Sequence, residues 1–190
     1  MLDVEHLLER WKARRDTIRV VTGHFPLCTT ELLGGDFVTF TLLRDPVERT
    51  LSYLRHRKET DPDAAGLTLE TIYDEPIRFD GLVHNHMVKM LSLTVDEMTA
   101  GAMTKVEFTA ERLQRATERL TEVEVVGVQE RFEEFCVALE SRFGWNLGPP
   151  VRMNRTKPVA ADDTLVARIR VDNAMDVELY ASATRLLAYS

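Results

Sequence analysis

The chain has 190 residues, 44% of them hydrophobic, and a formal net charge of −7. That length suits a single domain, since domains typically run to about 100–200 residues, and the acidic balance argues against nonspecific attachment to nucleic acid or an anionic membrane. Two cysteines, Cys28 and Cys136, are too few for a disulfide framework, and no apolar run approaches the ~20 residues of a membrane-spanning helix or forms a signal-peptide core, so the chain is expected to be cytoplasmic, or a soluble part of something longer, with both thiols reduced.

In chain order, residues 2–15 read as an amphipathic helix with Leu7, Leu8 and Trp11 on one face. Residues 18–21 are a short β-branched run and predict a strand. Residues 37–43 (FVTFTLL) predict a stronger strand, apolar enough to be buried on both faces. A helix start follows at once. Asp45 fits the N-cap, Pro46 the first helical position, and Glu48 the place of a capping-box acid, so a helix is expected over 45–57. Residues 61–66 break it. Helical patterns recur over 81–93 and 106–120, a third strand is expected over 123–126, and a helix over 131–143 stops at Gly144. A loop holds Pro149, Pro150 and the basic run 154–157, and residues 162–187 read as helical. Strands alternating with helices predict an α/β domain with a small, mainly parallel sheet.

The segment 40–53 (FTLLRDPVERTLSY) concentrates the chemistry. A buried strand ends where a capped helix begins, and α/β folds bind ligands at the carboxyl ends of parallel strands. Arg44 stands at that edge, and its guanidinium can grip a phosphate through two hydrogen bonds. Ser52 lies two turns into the helix and can bring a hydroxyl to the same anion. The same residues admit a plainer reading, in which Arg44 pairs with a surface carboxylate and Ser52 packs. His84 and His86 lie close in sequence, but helical positions two apart face different ways and no further ligand accompanies them, so no metal site is expected.

This stretch resembles the 3′-phosphate-binding segment of sulfotransferases that use 3′-phosphoadenosine-5′-phosphosulfate (PAPS), in which an Arg of an Arg-Asp-Pro turn and a Ser eight residues on hold the donor's 3′-phosphate. Arg44 and Ser52 match that spacing, and the run RDPVERTLSYLRH is similar to the carbohydrate enzymes, including the heparan and uronyl 2-O-sulfotransferase type. Further segments agree in order. Residues 21–25 (VTGHF) are similar to a Gly-His segment whose His serves as base in some carbohydrate sulfotransferases, which places His24 in that role. A neutral imidazole suits removal of a proton from a sugar hydroxyl, although a structural histidine would also fit. Residues 85–91 match a family helix weakly, and residues 125–135 (VVGVQERFEEF) are similar to its late strand and following helix, with Gly127 read as easing the turn. Residues 154–158 (NRTKP) fall where the family has a basic loop over the nucleotide, which implies phosphate contacts from Arg155, Thr156 and Lys157.

The resemblance covers residues 20–158 and implies a P-loop-like sulfotransferase fold, PAPS as donor with PAP as product, and a hydroxyl acceptor on a carbohydrate or similar molecule. It also implies a loop of the form Pro-Lys-x-Gly-x-Thr/Ser upstream of the Gly-His segment, to cradle the 5′-phosphosulfate. Of the nine glycines only Gly34 and Gly35 are adjacent, and they precede a strand without a neighbouring lysine. The expected fold is therefore an N-terminally truncated one. The alternative function is a PAP- or PAPS-binding or protein-interaction module without turnover. An uncovered sheet also predicts self-association, as a homodimer.

Overall fold

The computed structural model describes residues 4–101, 103–149 and 161–188. Two apolar runs, Phe40–Leu43 (β1) and Val125–Val128 (β2), pair in parallel with Phe40 opposite Val125 and Leu43 opposite Val128. The period-2 alternation of strands then sets two faces. Phe40, Leu42 and Val125 meet Phe135 and Leu139 of helix α9 (Phe132–Phe143) on one side. On the other, Leu43 and Val126 meet Met87, Val88 and Leu91 of α6 (His86–Ser92), Ala116 and Leu120 of α8 (Ala110–Glu122), and Leu179 and Ala183 of α11 (Ala174–Ala188). The result is a small parallel sheet between helical layers in a mostly helical chain, compatible with the α/β class.

Helix α3 (Pro46–Thr60) leaves β1 directly and heads a second core. Its Val47, Leu51 and Leu54 pack against Leu69, Ile72 and Tyr73 of α4 (Leu69–Tyr73) and against Leu165 and Ile169 of α10 (Asp163–Asp172). Helices α1 (Val4–Arg14), α2 (Thr29–Leu33) and α7 (Val95–Thr99) lie around a third cluster, built on Cys28, Leu93, Met98 and Val106. Both cysteines are free, Cys28 buried and Cys136 half-buried. Among the described residues no helix is long and apolar enough to cross a membrane.

Three local expectations need correction. Residues 18–21 form no strand. Val20 is 43% exposed, and among the described residues the sheet has only β1 and β2, so the β-branched run has no partner to pair with. Strand preference is expressed through pairing and burial, and without them the run stays irregular. The helix expected over 81–93 is broken in two. A short helix α5 (Pro76–Arg78) passes into a π-helical turn, Phe79–Val83, closed by His84 N–H on the Phe79 carbonyl at 2.9 Å, and α6 restarts after Asn85, whose φ of 43° is left-handed. The terminal helix likewise divides at Asn173 into α10 and α11.

Gly127 has a different role from the one its position suggests. A Cβ there would lie 2.3 Å from Cδ2 and 2.8 Å from Cβ of Phe135, so its bare backbone is what lets α9 approach β2. The atoms in the way belong to the root of the ring, which cannot swing aside without moving the helix. Gly127→Ala should therefore cost about 1–3 kcal/mol, the usual penalty of overpacking. Urea unfolding would read it, with an unchanged midpoint counting against this packing.

Candidate functional site

The carboxyl ends of both strands open on one edge, where β1 feeds α3 and β2 feeds α9. The α3 start has the cap and the proline its sequence predicts, but Glu48 does not complete a capping box, because Glu130 takes the Asp45 N–H. Asp45 Oδ1 accepts from the N–H groups of Val47 and Glu48, each at 3.0 Å, and Pro46 occupies the first helical position. Such a cap fixes the angle at which Arg44 leaves the strand and stabilises a helix by about 1 kcal/mol.

Arg44 is partly exposed, and its Nη2 lies 3.8 Å from Oε2 of Glu48, one turn along the helix. Arg44 itself precedes the Asp45 N-cap, and the half-buried Ser52 lies one turn beyond Glu48, so Glu48 and Ser52 share one face of α3. The Arg44 guanidinium lies beside Glu48, the first of these two residues. The contact with Glu48 is the one that the plainer reading of Arg44, pairing with a carboxylate, describes. His24 lies in an exposed loop after Gly23, whose φ is 155°. Arg155, Thr156 and Lys157 lie outside the described residues.

The edge also holds groups that the sequence did not advertise. Glu130, just beyond β2, accepts from the Asp45 N–H at 3.1 Å and from the Tyr180 hydroxyl of α11 at 2.7 Å. It therefore joins the ends of both strands to the helix packed on them. Burial and then the Glu130 carboxylate push the Tyr180 phenol up to about 12, so it remains a donor through the neutral range.

Behind the edge, two helix N-termini face each other and cap each other. Asp176 of α11 accepts from Met87 N–H (3.0 Å) and Val88 N–H (2.8 Å) at the start of α6, while Asn85 Oδ1 accepts from Asp176 N–H at 3.1 Å. Asn173 Oδ1 in turn takes the Asn85 N–H at 2.8 Å. The left-handed turn at Asn85 is what presents its side chain to α11. Full burial pushes the Asp176 carboxyl up to about 6, opposed by the Val88 N–H, by Arg49 and by the Met87 N–H. Arg49, from the second turn of α3, donates to the Leu82 carbonyl at 2.9 Å, and Lys89 donates to those of Thr104 (2.6 Å) and Gly81 (3.3 Å). The Gly81 and Leu82 carbonyls are open to these donors because the chain leaves the helical ladder at His84 and Asn85. Burial, with Arg49, Lys89 and His24 nearby, holds the His86 imidazole well below its usual value, so it is neutral at pH 7. Its Nδ1, Arg49 Nη1 and the Tyr53 hydroxyl are buried without hydrogen-bond partners.

Chemically, the edge therefore offers one partly exposed guanidinium and, in the helix that follows it, a half-buried hydroxyl, with a buried polar cluster behind, while His24 stands in its own exposed loop. His84, expected to be idle in metal binding, is stacked on Phe79 (5.2 Å between centroids) and tilted against Phe108 (4.7 Å). No group of metal-ligating side chains occurs among the described residues. No family model matches the chain, and neither a curated protein nor a solved structure matches it.

Proposed function

We propose that this chain is a sulfotransferase-type domain of the P-loop-like fold, which binds the 3′-phosphate of PAPS or PAP and serves transfer of a sulfuryl group to a hydroxyl of a carbohydrate or similar acceptor. One observation carries the reading. Arg44 stands at the carboxyl end of a parallel strand directly before a side-chain-capped helix, and Ser52 lies one turn beyond Glu48, the carboxylate that the guanidinium approaches. In this scheme Arg44 and Ser52 hold the 3′-phosphate, joined by Arg155, Thr156 and Lys157. His24 takes the acceptor's proton as its oxygen bonds to sulfur and the bond from sulfur to the bridging phosphate oxygen breaks. PAP then leaves with the electron pair of that bond.

Among the described residues no glycine-rich turn joins a strand to a helix, and this favours a second reading in which the chain binds PAP or PAPS without turnover. Calorimetric titration with PAP, followed by a transfer assay with PAPS and a panel of sugar acceptors, separates the two. Saturable PAP binding with transfer supports the enzyme, and binding without transfer supports the module. Absence of binding removes both. If transfer occurs, His24→Ala should lower kcat by about 10²–10⁴, the range for losing a general base, and leave PAP affinity unchanged. A variant as fast as the parent would take His24 out of the chemistry.

A further inference from the structure

The α3 start contains a conflict between a local and a distant partner. Glu48 stands three residues after the N-cap, the position from which a capping-box glutamate reaches back to the N-cap N–H. The chain builds that box at α7, where Thr94 N–H donates to Glu97 Oε2 at 3.0 Å and Glu97 N–H to Thr94 Oγ1 at 3.2 Å. At α3 only half of it forms. Asp45 accepts from Glu48 N–H, but Asp45 N–H is taken by Glu130 from the far strand, and Glu48 lies instead against Arg44.

We propose that Glu130 and Glu48 form a two-carboxylate latch on Arg44, in which Glu130 holds the Asp45 N–H and so leaves Glu48 on the guanidinium. An oxyanion gains Arg44 when Glu48 swings back to complete the capping box. Both carboxylates are exposed, so neither loses much solvation in the exchange. The Asp45 N–H keeps an acceptor in either state, and exposed ion pairs are weak enough to be traded. With Glu48 left in place, a phosphate at Arg44 would meet the like charge of the carboxylate beside the guanidinium. The latch rests on the reading of Arg44 as a phosphate ligand.

The test is PAP calorimetry on the full chain with Arg44→Ala, Glu48→Gln, Glu130→Ala and the Glu48→Gln/Glu130→Ala pair, each checked by thermal melting. Glu48→Gln keeps a capping-box side chain and loses the charge, so it should bind PAP about twofold to fivefold more tightly, the fold-change equivalent of releasing a surface ion pair. Glu130→Ala should tighten binding in the parent and add nothing in the Glu48→Gln background, because both act through one carboxylate. If the parent binds, Arg44→Ala weakens it and Glu48→Gln does not tighten it, the phosphate reading stands and the latch falls. Equal effects of Glu130→Ala in both backgrounds also overturn the latch. Binding seen only after Glu48→Gln would support it most strongly, and binding by none of the proteins ends both ideas. Should Glu130→Ala fail to fold, Glu48→Gln, at an exposed position, decides alone.

Discussion

Replacing Asp176 with alanine is expected to lower stability by about 3–6 kcal/mol, from two hydrogen bonds to a charged group at roughly 1.5–3 kcal/mol each. Asp176 accepts from two backbone N–H groups at the start of α6 and is the buried carboxylate near Arg49. Its loss strands both donors and leaves the Arg49 guanidinium, already carrying one unpartnered Nη1, in a low-dielectric interior. The damage should spread, because Asp176 and Asn85 tie α6 to α11, and both helices pack on the sheet through apolar residues. Asp176→Asn separates charge from hydrogen bonding. It keeps one acceptor and should cost less than the alanine. Equilibrium urea unfolding gives both numbers, and an alanine variant within 1 kcal/mol of the parent would mean that water or a shift of α11 replaces the carboxylate.

The same residue sets a pH dependence with a definite sign. Its carboxyl is raised from 3.8 to about 6 in the fold, chiefly by burial. The folded chain therefore binds this proton more tightly than the unfolded chain does, and stability falls as pH rises. The contribution is fully present below about pH 4 and is lost by the time the pH passes 6. Its size is at most about 3 kcal/mol, at 1.36 kcal/mol per pKa unit. Ionised Asp176 is thus costly to bury and costlier to remove, which is the usual position of a buried charge whose partners were built around it. Against the background of the other carboxylates, the difference between the parent and Asp176→Asn should isolate this slope between pH 4 and 7. Parallel curves would show that Asp176 does not titrate there.

The legible parts of this molecule are those whose causes are local. The Asp45–Pro46 cap, the arrest at Gly144 and the two strands that found each other all follow from residues within a turn or two, and each stands near its expected place. Glu48 shows where local rules stop. Its position forecasts a capping box, and a glutamate 85 residues beyond Asp45 takes the N–H instead. Nothing in a one-dimensional pattern ranks Glu130 above Glu48. Asp176 is hidden for a related reason. An acid in the first turn of a helix reads as an ordinary favourable charge, and only the packing of α11 on α6 turns it into a buried cap for a second helix. The strand expected over 18–21 failed because its residues had the right propensity and no neighbour. In the candidate site, Arg44 and Ser52 were visible through their spacing, whereas Glu130 and Tyr180 became visible only when β1, β2 and α11 were brought to one edge.

Arg44→Ala should weaken PAP binding about tenfold to 150-fold while leaving the melting temperature nearly unchanged. The first figure follows from a charge-assisted hydrogen bond, worth roughly 1.5–3 kcal/mol once both partners lose water. The second follows from the partial exposure of Arg44 and its long 3.8 Å contact with Glu48, since surface pairs of that kind contribute 0–1 kcal/mol. Arg44→Lys distinguishes a bidentate grip from simple charge attraction. A lysine supplies the charge without the planar fork, so it should recover only part of the affinity. Ser52→Ala, removing a neutral hydroxyl, should cost less than Arg44→Ala. The ordering alanine at 44, then lysine at 44 and alanine at 52, then parent, is specific to a phosphate held by Arg44 and Ser52 together at the start of α3. Equal affinity for all four proteins would place the nucleotide elsewhere. A loss in Arg44→Ala matched by a fall in melting temperature would make Arg44 a structural residue of the β1–α3 junction.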